Sequence, residues 1–389
     1  MSPLSFPDLH LFPRTRIGIF TRRVNRFVLE CRVDGNTISA YLPNPGRLRE
    51  LLLPGRTLYL AENAPSGKYR YTAVAVVRDS RPILLHTHMA NRVVHWLLMH
   101  GAIPELKDAT VVRHEVTVDH SRFDFLLEKD GVPFLLEVKS CTLFEDDVAL
   151  FPDAVTDRGR RHLLELAEKA RQGTPGGVVI LINWPRARYF LPDYHTDLEF
   201  ARAFLEVKKD IAFIPIAVEW SDTLSLISPV RHVTIPWELI EREAADSGSY
   251  ILILHLARDR TIEVGKLGSL HFRRGYYLYV GSSKKNLTRR INRHLRKRKN
   301  FHWHIDYLRD RADYAQALTI RSQTHLECTI ANALENIAHW TVPGFGSSDC
   351  GCDTHLFGMR HDPAQDPAFV EILQYFRIGR LREELHNFF

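Results

Sequence analysis

The sequence predicts a multidomain protein in which a small β barrel, a mixed α/β domain and an α+β domain follow one another. The chain has 389 residues, more than one ordinary domain holds. Short strands separated by turn residues fill the first part, and helix and strand patterns alternate in the second. A strand pair and a basic helix follow a Pro- and Ser-containing stretch. We therefore expect domains at residues 1–85, 86–230 and 249–389, with a linker at 231–248.

Composition narrows the class of protein. Lys and Arg number 52 against 46 Asp and Glu, and the resulting net charge of +6 favours an anionic partner such as nucleic acid. Five cysteines, an odd and sparse set, argue against a disulfide framework and for a reducing compartment. No apolar run is long enough to span a bilayer, and the N-terminus lacks a signal-peptide pattern. We expect a cytoplasmic protein without a membrane partner, and the sequence leaves its oligomeric state open.

The first domain reads as short strands with regular spacing, which fits an OB-like barrel. Arg22, Arg23 and Arg26 lie close to Phe20 and Phe27. Arginines beside aromatic residues are typical of a groove for single-stranded nucleic acid, where the cations contact phosphates and the rings stack on bases. The alternative is that the phenylalanines belong to the core and the arginines are simply solvated.

A turn at residues 44–48, NPGRL, opens a predicted short helix over residues 47–53. The backbone N–H groups at such a helix start, together with Arg47, favour phosphate binding. A plain turn without a ligand explains the same residues equally well.

A predicted hairpin at residues 122–139, RFDFLLEKDGVPFLLEVK, organises the second domain. Asp130-Gly131 favours a two-residue turn, so Lys129 should face Val132. The same register places Asp124 opposite Glu137, with Cβ atoms about 5 Å apart on one face. We expect that face to be reached by solvent and the aromatic face to enter the core.

Two facing carboxylates repel each other unless a cation lies between them. A divalent ion, Mg²⁺ or Mn²⁺, bound to Asp124 and Glu137 would satisfy both, and Lys139 could then orient or activate a water for phosphodiester hydrolysis. The alternative is a solvated hairpin face with cross-strand ion pairs, Asp124 to Lys139 and Glu137 to Arg122.

A helix predicted over residues 157–171 follows the hairpin, with Thr156 as its N-cap. Its leucines and alanines form an apolar stripe, and Arg158 and Arg161 lie on another face, which we assign to nucleic-acid binding. Two apolar runs, VVILIN and IAFIPIAVEW, predict buried strands of the same sheet.

The order of helix, three strands, helix and strand, with Asp124 on the second strand and Glu137-x-Lys139 on the third, resembles the PD-(D/E)XK nuclease core. Residues 14–219 resemble the SfsA (sugar fermentation stimulation protein) family through the runs PNPGRLRELLLPG, THMANRVV, RFDFLLE, FLLEVKSCTLF and ALFPDAVTDRGRRHLLEL. The resemblance implies an OB-like barrel before a PD-(D/E)XK domain that binds DNA. It also implies metal-ligand roles for Asp124 and Glu137 and a catalytic role for Lys139.

The third domain begins with two predicted strands, YILILHL and GYYLYVG. Residues 284–299, KKNLTRRINRHLRKRK, predict a helix without any acidic residue, whose apolar residues repeat every four positions. Its remaining surface is almost wholly basic and suits a phosphate backbone; we assign Arg289, Arg293 and Lys297 to nucleic-acid binding.

This arrangement resembles the GIY-YIG nuclease module, in particular its Uri-type branch, which has phrases like HWHIDYL and GFGSSDCGC-x-x-HLF. The first motif here reads Gly-Ser-Tyr and the second Tyr-Val-Gly. The resemblance implies catalysis by a deprotonated tyrosine or a metal-activated water, with one Mg²⁺ on a glutamate. The implied residues are Tyr250, Tyr279, Arg290, His294 and, as metal ligand, Glu327. The alternative is that both tyrosines are core aromatics.

Cys350, Cys352 and His355 form a Cys-x-Cys-x-x-His pattern that, with the distant Cys328, suggests a zinc site. The spacing is not that of a standard zinc finger, and a loop with free thiols is the alternative.

Taken together, the residues and the two resemblances predict a metal-dependent endonuclease that hydrolyses phosphodiester bonds in DNA or, alternatively, RNA. The competing hypothesis is a DNA-binding regulator of the sugar fermentation stimulation type that does not cleave. A third possibility is a structural scaffold. Weak, salt-insensitive binding to nucleic acid would support that hypothesis.

Overall fold

The computed structural model describes residues 9–348 and 350–388, apart from a few side chains near residue 228 and at the C-terminus. The chain forms two compact units. The first runs up to Asp193 and includes Glu199–Trp237, and the second comprises Tyr194–Leu198 and the chain from Glu238 onward. Among the described residues, no helix is long and apolar enough to cross a membrane.

The first unit opens with the predicted OB-like barrel. Strand β1 is long enough to pair with both β2 and β4, and β3 closes the barrel through a parallel contact with β5. The sheet order is β3-β2-β1-β4-β5-β6. Alternating side chains fill the interior of the barrel. Phe20 is one of them, so it belongs to the core and is not placed to stack on a base. The strands are β1 (Thr15–Asn25), β2 (Val28–Val33), β3 (Asn36–Tyr41), β4 (Thr57–Glu62), β5 (Tyr71–Arg78) and β6 (Arg81–Leu84).

The second part of this unit is a six-stranded mixed sheet with the order β15-β14-β12-β9-β8-β7, accompanied by a small sheet β10-β11-β13. Helix α1 packs on the core cluster that contains Phe125, Phe134 and Leu136. The elements are α1 (Ala90–Met99), β7 (Thr110–Val118), β8 (Ser121–Lys129), β9 (Val132–Cys141), β10 (Leu143–Glu145), β11 (Val148–Phe151), α2 (Asp157–Arg171), β12 (Gly176–Ile182), β13 (Tyr189–Pro192), α3 (Leu198–Glu206), β14 (Ala212–Trp220) and β15 (Leu226–His232).

The second unit is a five-stranded antiparallel sheet with the order β20-β16-β19-β22-β21 and helices around it. Its elements are α4 (Trp237–Glu243), β16 (Gly248–Leu256), β17 (Arg260–Glu263), β18 (Ser269–Phe272), β19 (Gly275–Ser283), α5 (Leu287–Leu295), α6 (His304–Arg311), β20 (Tyr314–Arg321), α7 (Glu327–Glu335), β21 (Trp340–Thr341), β22 (Leu356–Met359), α8 (Pro367–Gln374), a π-helical turn (Tyr375–Gly379) and α9 (Leu381–Phe388).

Three local expectations differ from the structure. The stretch 231–248 contains the end of β15 and helix α4, whose Leu239 and Ile240 are buried, so it is folded and not an extended linker. The basic helix is shorter than the predicted 284–299, because α5 covers only Leu287–Leu295. The helix predicted over 47–53 is absent: the amides of Leu51 and Leu52 close a single turn on the carbonyl of Leu48.

Candidate active sites

The predicted hairpin register is present, since Lys129 pairs with Val132 and the ladder continues to Phe125 and Leu136. The pairing ends there, one step before Asp124. The Oδ2 atom of Asp124 accepts the backbone N–H of Val138 at 2.7 Å, and Oδ1 accepts the side-chain amide of Asn91 at 2.6 Å. The bond from the backbone N–H of Val138 takes the place of the next ladder pair and holds the Asp124 carboxylate against β9.

Glu137 lies in the middle of this site and is only 4% exposed. Its Oε1 atom lies 2.5 Å from Nζ of Lys139 and 2.7 Å from Nδ1 of His162 on α2. Among the residues that the structure describes, no group donates a hydrogen bond to the buried Oε2. Our expectation of a face reached by solvent is therefore wrong at Glu137, because β9 is a central strand and α2 covers this side of it.

The two carboxylates differ in their electrostatics. Burial, and next the charge of Glu137, raises the pKa of Asp124 above its usual range. Burial would also raise the pKa of Glu137, but the hydrogen bond from His162 and the charge of Lys139 outweigh it and lower that pKa. The repulsion that raises the pKa of Asp124 is what a bound cation would relieve.

Among the described residues, neither ion pair predicted by the solvated alternative is present. Lys139 pairs with Glu137 and not with Asp124, and Arg122 lies 3.6 Å from Glu115 on β7. His162 and Asn91 were missed as site residues by sequence reasoning. The only signal for His162 was its position one turn after Arg158 on a helix with an N-cap, Thr156, that the structure confirms.

A cavity of about 270 Å³ opens beside Lys139 and Asn91. One of its walls is the loop at residues 44–46. An Asx-type bond from the amide of Gly46 to Asn44 holds this loop, and the amide of Leu48 donates to Oδ2 of Asp153 at 2.6 Å. Burial raises the pKa of Asp153 to about 6. The conspicuous PNPGRL run thus builds a wall of the cavity.

The predicted phosphate contacts of the first unit fall into two groups. The guanidinium of Arg23 donates to the carbonyls of Arg26, Asn44, Gly46 and Arg47 and so ties the cavity loop to β1, which is a structural task. The others lie nearer the surface. Arg22 pairs with Glu30, Arg26 lies over Phe27 and lines the cavity, Arg47 acts electrostatically on Asp153, Arg158 donates to Nε2 of His162, and Arg161 lies 3.7 Å from Glu165.

The second candidate site lies on β16 and β19 of the C-terminal unit. Tyr250 pairs with Gly281 across the two strands, and the ring centroids of Tyr250 and Tyr279 are 6.5 Å apart. A Cβ atom at Gly281 would collide with the hydroxyl of Tyr250, which explains the glycine. Burial, followed by the neighbouring Tyr279, raises the pKa of Tyr250 well above its usual range, so its hydroxyl carries its proton at neutral pH.

His294 of α5 lies next to Tyr250, with 5.7 Å between the ring centroids. Its Nδ1 atom is 3.5 Å from Oδ1 of Asp306, a fully buried residue of α6. Burial lowers the pKa of His294, which favours a neutral imidazole. Asp306 was missed in the sequence, although its place in the first turn of a helix after HWHI was the available signal.

Asp306 also changes the interpretation of Arg293. Both terminal nitrogens of Arg293 lie about 3 Å from the carboxylate of Asp306, and Lys299 is 2.9 Å from it. The side chain of Arg293 is 28% exposed. Arg293 therefore has a structural role as the partner of Asp306. Arg289 and Lys297 are exposed, as a residue that contacts phosphate must be.

Arg290 and Glu327 meet at Ser282. The Nη1 atom of Arg290 donates to the carbonyl of Ser282 at 2.5 Å, and the Ser282 hydroxyl donates to Oε2 of Glu327. Oε1 of Glu327 lies 3.2 Å from Nδ1 of His355. Burial would raise the pKa of Glu327, but the neighbouring His355 imidazole and the hydrogen bond from Ser282 lower it.

These groups share one cavity of about 750 Å³. All five residues implied by the GIY-YIG resemblance line this cavity. If the two tyrosines were only core aromatics, the meeting of all five side chains at one cavity would have no explanation. Further residues on its wall are His302, Trp303, His304, His325, Cys328, Cys350 and His355.

The four residues of the suggested zinc site, Cys328, Cys350, Cys352 and His355, come together in space. One ligand atom from each of the four residues lies within 4.8 Å of those of the other three. The four residues could hold a metal ion.

Three domain families match the chain. Residues 21–85 match the SfsA N-terminal OB domain, residues 88–223 the sugar fermentation stimulation protein RE domain, and residues 249–377 a domain of unknown function, DUF123. The two SfsA domains cover most of the barrel and most of the mixed sheet that follows it.

Among curated relatives, the sugar fermentation stimulation protein homolog of Methanothermobacter thermautotrophicus is 34% identical over 225 residues, which is 57% of this chain and 93% of the relative. The homolog of Clostridium tetani is 37% identical over 192 residues, 49% of this chain and 84% of the relative. A solved structure described as Pyrococcus furiosus SfsA in complex with Ca²⁺ is 27% identical, with a TM-score of 0.54, and covers 58% of this chain and 99% of that one. The chain therefore belongs to the SfsA family, the family of the sugar fermentation stimulation protein, and carries a C-terminal domain in addition.

Proposed function

We propose that this protein is a nucleic-acid-binding, divalent-metal-dependent phosphodiesterase whose preferred substrate is DNA. The observation that carries the proposal is the buried Oε2 atom of Glu137. A buried carboxylate oxygen without a donor is costly, and the charge of Glu137 also helps to raise the pKa of the half-buried Asp124. A cation held by Glu137 and Asp124 would remove both costs.

The donor set fits Mg²⁺ or Mn²⁺. Carboxylate oxygens are the ligands that these hard cations prefer, and Ca²⁺, named in the description of the Pyrococcus furiosus structure, shares that preference. Asp124 and Glu137 would hold the ion. When bound, it would polarise the phosphate and lower the pKa of a coordinated water.

The remaining residues of the first site position these groups. His162 donates from Nδ1 to Glu137, because its Nε2 accepts from Arg158. Asn91 and the amide of Val138 fix both oxygens of Asp124. Lys139, 2.5 Å from Glu137 and on the wall of the cavity, would orient the attacking water or neutralise charge on the phosphate.

The C-terminal cavity supports a second phosphodiesterase site of the GIY-YIG type. Glu327 would be its metal ligand, and Arg290, in the same cavity, would neutralise charge on the phosphate. Tyr250 keeps its proton in the free protein, so a tyrosine nucleophile needs a base. The neutral His294, whose Nδ1 faces Asp306, is suited to be that base.

The test is cleavage of single- and double-stranded DNA and RNA with and without Mg²⁺. We expect Mg²⁺-dependent cleavage that falls about 100-fold or more in Glu137→Gln for one activity and in Glu327→Gln for the other. Matched controls are Glu128→Gln on β8 and Glu335→Gln on α7, which are exposed carboxylates on the same or a neighbouring element.

The two activities should respond independently. Loss of all cleavage in either single variant would contradict two separate sites. Mg²⁺-independent binding without any cleavage, unchanged in Glu137→Gln, would favour the non-cleaving regulator instead.

A further inference from the structure

The cluster Cys328, Cys350, Cys352 and His355 joins two separate parts of the C-terminal unit. Cys328 is the second residue of α7, and the other three lie on the loop that leads into β22. Sγ of Cys350 lies 3.4 Å from Nε2 of His355, and the four ligand atoms lie within 4.8 Å of one another. Cys328 and the next cysteine are 22 positions apart in sequence, so spacing suggests the set without showing that the four side chains meet.

We propose that these four side chains bind one Zn²⁺ in a tetrahedral Cys₃His site. Zinc–sulfur bonds of about 2.3 Å and zinc–nitrogen bonds of about 2.0 Å give sulfur–nitrogen separations of about 3.5 Å and sulfur–sulfur separations of about 3.8 Å in a tetrahedron. The observed 3.4 Å between sulfur and nitrogen and the 4.8 Å limit for all four ligand atoms are compatible with this geometry. Thiolates and an imidazole prefer Zn²⁺ to the hard Mg²⁺ expected at the carboxylates.

The loop is built to hold its ligands. The amide of His355 donates to the carbonyl of Phe345 at 2.8 Å, and the amide of Gly344 donates to the carbonyl of Asp353. The buried hydroxyl of Thr354 donates to the carbonyl of Val342. His355 itself is 1% exposed, so its imidazole approaches the thiols from a fixed side.

The zinc site would also position Glu327. Ligation through Nε2 leaves the ring proton of His355 on Nδ1, which lies 3.2 Å from Oε1 of Glu327. The two atoms lie close together but are not aligned as a hydrogen bond in this structure. Zinc would select the tautomer and orientation in which His355 donates to Glu327. This second part rests on the proposed function of Glu327, whereas zinc binding does not.

The first experiment measures metal binding by the full-length chain. Under reducing conditions we expect one equivalent of zinc per chain by elemental mass spectrometry, and thiolate charge-transfer and tetrahedral ligand-field bands after Co²⁺ substitution. In competition with a chromogenic chelator, Cys352→Ser should bind zinc at least 100-fold more weakly. Cys31 is a buried thiol of the barrel, outside the cluster, so Cys31→Ala should bind zinc as tightly as the wild type.

Wild-type zinc affinity no higher than that of Cys352→Ser overturns the zinc site, as does stoichiometric copper or iron in its place. Should the serine variant fail to fold, the wild-type Co²⁺ spectrum decides: octahedral bands without thiolate charge transfer overturn the proposal.

The second experiment separates zinc binding from positioning through His355→Cys, which offers a fourth thiolate. We expect this variant to keep its zinc while Glu327-dependent cleavage falls about tenfold or more. In ¹⁵N-histidine-labelled wild type, zinc should slow exchange of the Nδ1 proton of His355, and Glu327→Gln should shift its resonance. Unchanged cleavage with zinc retained, or a resonance indifferent to Glu327→Gln, overturns the positioning role and leaves the zinc site standing.

Discussion

His162 and Glu137 are 25 residues apart in sequence, yet Nδ1 of His162 lies 2.7 Å from Oε1 of Glu137. Arg158 donates to the other ring nitrogen of His162, which sets the imidazole tautomer. The imidazole therefore occupies one oxygen of Glu137 and leaves Oε2 for a ligand. A partner of this kind orients a metal-binding carboxylate and tunes its basicity.

Replacing His162 with Asn should weaken the metal site without removing a ligand. Residues that orient metal ligands typically contribute 10- to 100-fold, so we expect the Mg²⁺ concentration for half-maximal cleavage to rise by about that factor. Calcium binding by calorimetry gives a readout independent of cleavage. His120→Asn, an exposed histidine in the turn after β7, serves as the control. Equal metal affinity in the two variants would show that His162 only fills space.

In the C-terminal cavity, Tyr250→Phe should lower Glu327-dependent cleavage about 100-fold or more, because only the hydroxyl can take part in the reaction. Tyr276→Phe is the matched control. Tyr276 lies on β19 and packs with the cluster on the opposite side of the sheet from Tyr250 and Tyr279. If both variants cleave like the wild type, the tyrosines are core aromatics.

Asp306 predicts a pH-dependent stability. Burial would raise its pKa, but hydrogen bonds from His294, Arg293 and Lys299 lower it strongly. A carboxyl whose pKa is depressed in the folded state stabilises the protein above the unfolded pKa of about 3.9 and loses that contribution as the pH falls below it. Asp306→Asn should therefore cost about 3 kcal/mol or more at pH 7.

The difference in the free energy of unfolding between wild type and Asp306→Asn should shrink as the pH is lowered from about 5 toward 2. Urea unfolding across this range measures it. Asp310→Asn, a carboxylate on α6 outside this network, should show no comparable difference. A constant difference between pH 7 and pH 3 would contradict the role given to the Asp306 charge.

Exposed cations of α5 and the segment after it should supply non-specific affinity. Reversing Arg289 and Lys297 to Glu should reduce the slope of log affinity against log salt by about one unit per lost phosphate contact. Arg293 is unsuitable for this test, because its reversal would break the contacts with Asp306. Arg258→Glu with Lys266→Glu changes the net charge equally, at exposed positions outside the cavity wall. If both double variants show the same dependence of log affinity on log salt, the nucleic-acid-binding surface lies elsewhere on the protein.

A C-terminal fragment that starts near residue 246 should be less stable than the same unit in the full chain. Tyr194 and His195 belong to this unit, and their carbonyls accept from the buried Arg321 at 2.8 Å. The fragment also lacks Glu243, which pairs with Arg380 at 2.7 Å. The comparison fragment starts at residue 238 and carries residues 194–198, joined to it through a flexible linker. The fragment that starts near 246 should unfold at a lower temperature than this comparison fragment. Equal midpoints would mean that these contacts add nothing.

Local sequence was sufficient for the elements whose patterns are short in range. The regular strands of the barrel, the Asp130-Gly131 turn and the Thr156 cap follow from dihedral preferences and hydrogen bonds between residues a few positions apart. The long runs near Asp124 and Glu137 were specific enough to indicate the SfsA family, which the curated relatives confirm.

Tertiary structure alone decided which charged groups meet. The sequence placed Glu137 on a face reached by solvent, but a central strand covered by α2 buries it, and His162 and Asn91 come from helices that no spacing links to it. Arg23 and Arg293 looked like phosphate contacts, yet one ties a loop together and the other neutralises Asp306. The sequence suggested that Cys328 joins Cys350, Cys352 and His355, and the tertiary structure brings their ligand atoms within 4.8 Å of one another. The physical reason is that strand and helix periods record which face a residue occupies, whereas burial and long-range pairing depend on which other element covers that face.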